Sequence, residues 1–173
     1  PDMLTLFAEL QEVTRHLNGH GLGLTFPVPS MITKHFSPGS LSKDLVQDRE
    51  GYRRALAAAN MAWEKSSDRG RPYVQYWIGR LKFGISYIDC IEATKQLANA
   101  KSQLELAQEK ANEAEIADRH RDVAACAEKA LQTSVDMLNW LASVARNQSD
   151  RGAIAVMGEY VYRPLRKQVQ QTR

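Results

Sequence analysis

With 173 residues, 43% apolar and 25% charged, the chain is long enough for one domain with a sizeable core and too apolar for disorder throughout. Its net charge of +3, from 23 Lys and Arg against 20 Asp and Glu, permits an anionic partner but lacks the basic excess of a dedicated nucleic-acid binder. No apolar run reaches membrane-spanning length, and the two cysteines, Cys90 and Cys126, lie inside helical patterns and read as buried free thiols.

The first 20 residues carry a helix over Asp2 to Asn18, with Leu4, Phe7, Leu10 and Leu17 recurring at helical steps. Asp2 suits its start, and Gly19 with Gly21 suit its end. Residues 21–43 form a loop with three prolines and no helical period, yet with Leu22, Leu24, Phe26, Val28, Met31, Ile32 and Phe36 in it. A loop that long and that apolar fits either a connection packed on neighbours or a functional segment.

Residues 44–173 read as a helical bundle. Tyr52, Leu56, Ala59 and Trp63 mark a second helix ending near Ser67. Pro72 opens a central helix from Arg71 to Ala114, with Asp68 or Ser67 expected to cap it. Its first half is apolar nearly all round, as in a helix buried on every side. Its second half carries the seam Ala93, Leu97, Ala100, Leu104, Ala107, Ala111 and Ala114, whose small residues suit close antiparallel packing. The next turn is expected near Glu115 to Asp122, as a tight helical connection or as a kink in the helix. Val123, Ala127, Ser134, Leu138 and Leu141 then mark a fourth helix, and Ile154, Met157, Val161, Leu165 and Val169 a fifth, which Pro164 should kink or break around Tyr162. The fold class expected is therefore all-α: an antiparallel up-down bundle of four main helices with an extra N-terminal helix and a long Pro/Gly-containing loop, in a single domain.

One internal echo stands out. Ser67-Asp68-Arg69-Gly70 and Ser149-Asp150-Arg151-Gly152 each follow an Ala-rich helix and precede an aromatic one. Matched turns between helix pairs account for the echo structurally, with a short polar side chain capping each new helix. In an up-down bundle both turns fall at the same end. Asp68, Arg69, Tyr73, Trp77, Asp150, Arg151 and Tyr160 are then candidates to hold a small anionic or sugar ligand, or to pin the two hairpins together by Arg–Asp pairs.

Motifs that carry chemistry are missing. His16 and His20 have helical spacing, but His20 falls beyond the helix end, and no HExxH, Glu-x-x-His, CxxC, GxSxG or phosphate-binding Gly loop occurs. The sequence calls for no catalytic residue, metal or cofactor. Basic residues such as Arg53, Arg54, Arg119 and Arg121 are scattered among acids.

Tyr76-Trp77, Arg80-Leu81, Phe83 and Tyr87 on one helix, followed by ARNQSDRG (145–152) and EYVYRPL (159–165), resemble the helical accessory domain that follows the catalytic barrel in large bacterial glycoside hydrolases. The resemblance spans Tyr52 to Leu165. It implies a non-catalytic domain that packs on a barrel and contributes to a cleft or to dimerisation. The chain opens on Pro1 rather than Met, which fits a processed product or a piece of a longer protein. The expected partner is another domain of the same polypeptide or a separate protein. A standalone helical protein with its ligand at the SDRG end is the alternative.

Overall fold

The computed structural model describes residues 2–19, 36–110 and 113–172, the side chains of 14–19 apart. Its elements are all helical: α1 (Asp2–Gly19), α2 (Lys43–Glu64), α3 (Arg71–Glu109), α4 (Glu113–Ser143) and α5 (Gln148–Met157), which runs through a π turn (Gly158–Tyr162) into α6 (Arg163–Gln171). No strand occurs among the described residues. Most of the apolar loop 21–43 lies outside the described residues; its last part, 36–42, is irregular and ends on Ser42, whose hydroxyl accepts from Leu45 N–H and caps α2.

From α1 to α4 each helix runs antiparallel to the one before it, and the contacts that align them are specific. Along α1 and α2, Lys65 pairs with Asp2 at 2.8 Å and Arg54 with Glu9 at 3.0 Å. Between α2 and α3, Arg49 bridges Asp89 at 2.8 Å and Glu92 at 2.6 Å. These bonds, the one to Glu92 foremost, raise the guanidinium pKa further. Between α3 and α4, Lys129 donates to Gln96 at 3.0 Å, while Val144 packs at Gly79. Close approach explains the glycines here. A Cβ on Gly84 would lie 2.8 Å from the Tyr52 ring, and one on Gly79 would lie 2.2 Å from Val144 Cγ1.

The core follows the apolar stripes. Tyr52, Leu81, Ile88, Cys90, Ile91, Leu97 and Met137 are all buried, and the central helix contributes most of them. The small-residue seam behaves as its spacing requires: Ala93, Leu97 and Ala107 are buried opposite Val123, Ala127, Ala130 and Ser134 of α4. Burial pushes the Cys90 thiol up to about 12, so it stays protonated and unreactive at neutral pH; Cys126 is free and half-buried. The Tyr52 and Tyr87 phenols are pushed up by burial as well.

Three local expectations are corrected. The central helix ends at Glu109 and α4 begins at Glu113, ahead of the expected Glu115 to Asp122. Glu113 and Glu115 suit the start of a helix dipole, and Arg119 clasps both Glu115 and Asp122. That segment therefore begins α4 rather than ending α3. Neither Asp68 nor Ser67 caps α3 with its side chain. Gly70 is the N-cap residue, and the Ser67 carbonyl takes Gly70 N–H and Arg71 N–H at 2.9 and 3.0 Å. Pro72 has no N–H to be satisfied, which removes one of the donors a capping side chain would serve. Lastly, the chain does not break at Tyr162. Pro164 cannot donate to the carbonyl of Tyr160, and a five-residue π turn absorbs the fault, with Arg163 N–H reaching Gly158 O.

Candidate functional site

The residues singled out in the sequence fall into three places. The first is a ring cluster at the N-terminal end of α3. Trp77 is its centre, with Phe7 of α1 at 5.2 Å, Tyr76 at 5.6 Å and Tyr73 at 6.4 Å between ring centroids, all near edge-to-face. The Arg146 guanidinium lies 3.9 Å from the Tyr76 ring centroid, so the α4–α5 connection reaches the cluster. The rings are not simply core. Tyr73 is 51% exposed and Phe7 37%, and Leu4, one turn from Phe7 on α1, is 76% exposed. The Trp77 indole N–H is buried without a hydrogen-bond partner among the described residues.

The second place is the pair of SDRG segments, which the structure makes different. Asp68 is 96% exposed and pairs at 3.2 Å with Arg71 of its own segment; Arg69 is exposed beside it. The later tetrapeptide is no turn: Ser149, Asp150, Arg151 and Gly152 lie inside α5, directly after its first residue Gln148. Asn147 caps that helix by accepting from Asp150 N–H at 2.9 Å. The Asp150 carboxylate reaches back to the N–H groups of Arg146 at 2.7 Å and Asn147 at 3.2 Å. This is a capping box with Asp in the reciprocal role. Each aspartate bonds to residues next to its own tetrapeptide, and Arg151 is exposed.

Tyr160 occupies the third place. It sits 58% exposed on the π turn, at the rim of a groove of about 310 Å³ that also meets Phe36, Thr94, Val161, Leu165 and Gln168. Thr94 is 17 residues along α3 from Trp77, which at the helical rise is about 25 Å away. Tyr160 is therefore not part of the aromatic end. Tyr73 and Trp77 are brought together, Asp150 supports the helix that follows Arg146, and Asp68 and Arg69 stand outside.

Sequence reasoning passed over Phe7 and Arg146 at the cluster. Phe7 belongs to another helix, and nothing in its spacing distinguishes a cluster residue from a core one. Arg146, inside the quoted ARNQSDRG, differs from other exposed arginines only by its contact. Among the described residues there is no group of three His, Cys, Asp or Glu placed to hold a metal ion, and no helix long and apolar enough to cross a membrane. Compared with protein-family models, curated proteins and solved structures, the chain matches none.

Proposed function

We propose that the protein is a non-catalytic helical interaction domain, an antiparallel up-down bundle that docks through the ring cluster at the start of α3 onto another domain or protein. The observation that carries this reading is the partial exposure of Leu4, Phe7 and Tyr73 around Trp77. Aromatic side chains with an apolar body and a polar edge are the residues that anchor protein interfaces, and an Arg stacked at the margin is a frequent companion. Helices from two parts of the chain and the α4–α5 connection converge there, so the patch is held rigidly rather than on a mobile loop. The resemblance to accessory domains of large glycoside hydrolases supplies the proposed setting, a helical module beside a carbohydrate-active barrel.

The test is hydroxyl-radical footprinting of Leu4, Phe7 and Tyr73, once in the isolated 173-residue chain and once in the native assembly drawn from the source cell. Protection of these three in the native assembly, with Met61 on α2 labelled equally in both, is the expected result. Equal labelling of all four, or turnover of a glycoside by the isolated chain, overturns the reading.

A further inference from the structure

The groove beside the π turn lies far from the aromatic end and has a different character. Its walls are Phe36, Val161, Pro164 and Leu165, and its volume of about 310 Å³ falls at the small end of cavities that hold small molecules. The parts that shape it are fixed. Asn99 of α3 accepts from Gly39 N–H at 2.7 Å and donates to Gly39 O at 2.9 Å, and Lys95 donates to Ser37 O at 3.5 Å. Gly39 has φ +140°, a conformation that suits glycine, so the staple sets the chain direction that brings Phe36 over the groove. On the opposite side the π turn widens the helix next to Val161, a distortion that recurs at functional sites.

The groove also has a charge at its edge. Lys101 Nζ donates to Gln168 Oε1 and lies 5.5 Å from the Phe36 ring centroid. An ammonium has three donors. Among the described residues no carboxylate lies within ion-pair distance of this one: Glu105, one turn further along α3, is exposed and makes no ion pair with it, and Glu159 pairs with Arg163 at 2.7 Å. A partly buried cation whose neighbours are an amide and a ring is complementary to an anion.

We infer that the groove binds a small monocarboxylate with an apolar body, its chain or ring lying against Phe36, Val161 and Leu165 and its carboxylate on Lys101. The Tyr160 phenol at the rim offers a second donor. The inference does not depend on how the aromatic end is used, since the two places share no residue.

Octanoate and octanol test it, titrated into the isotope-labelled full chain and followed by amide NMR shifts. Octanoate should move Thr94, Val161, Leu165 and Gln168 and bind about tenfold more tightly than the neutral alcohol. Lys101→Met should erase that preference, and Lys101→Arg should keep it. Shifts confined to other regions, no binding of octanoate, or equal binding of acid and alcohol by the unaltered chain would overturn the inference. So would an undiminished preference in Lys101→Met. The acid–alcohol comparison on the unaltered chain stands whether or not the variants fold.

Discussion

At the scale of single residues, the molecule uses small side chains to let large ones approach. Gly84 is the clearest case, because the Tyr52 ring lies where its Cβ would be. Tyr52 is 1% exposed and rigid in the core, so it cannot move aside at low cost. Two effects of Gly84→Ala oppose one another. Helix propensity favours Ala by about 1 kcal/mol, while overpacking a well-filled core costs about 1–3 kcal/mol. The steric term should win, with a net loss of up to about 2 kcal/mol in urea unfolding. Gly152→Ala is the matched control. It lies in α5 with open space around the added methyl, so it should gain about 0.5–1 kcal/mol. A stabilising Gly84→Ala would mean that the tyrosine ring has room to shift.

At the scale of elements, the SDRG echo shows how one tetrapeptide can take two conformations. Before the first copy, α2 has already ended and Gly70 starts α3, so Asp68 is left in water beside Arg71. Before the second copy stands Asn147, a strong N-cap residue, and it moves the helix start three residues ahead of Asp150. The energetic consequences should differ accordingly. Asn147→Ala and Asp150→Ala should each cost about 1 kcal/mol, and the double variant less than the sum, because both serve one capping box. Asp68→Ala should change the unfolding free energy in urea titration by no more than about 0.5 kcal/mol, as exposed pairs do. Three equal losses would restore the view that the two segments are equivalent. The tetrapeptide was legible as a repeated helix-start signal, whereas its register relative to each start was not, because that depends on flanking Asn147 and Pro72. The same holds for Pro164. The sequence shows that a hydrogen bond must be lost there, but kink and π turn both answer that loss.

At the scale of the whole molecule, the helical class and the buried faces of α3 and α4 were legible, because the 3.6-residue period and the Ala-rich seam read directly as buried stripes. Contacts between helices far apart in sequence were not. The Phe7–Trp77 pair spans 70 residues, and no single-helix pattern encodes it. The groove rests on Phe36, Lys101 and Gln168, drawn from three separate segments. In the sequence Phe36 is one of several apolar loop residues, and no helical pattern joins it to Lys101 or Gln168. Whether α1 belongs to the same cooperative unit as the rest is the prediction that belongs here. Leu6 of α1 is fully buried within the common core, and Phe7 joins α1 to the central helix. Leu6→Ala should therefore cost about 3 kcal/mol, the usual range for a buried leucine. In a chain of this size that lowers Tm by about 6–12 °C. The decisive point is which signals move. In one cooperative unit, tryptophan fluorescence and far-UV circular dichroism shift together by the same amount, because α1 cannot detach without exposing the surface of α2 and Trp77. If α1 is instead a separately melting appendage, most of the helical signal keeps its original midpoint and only a small early transition appears.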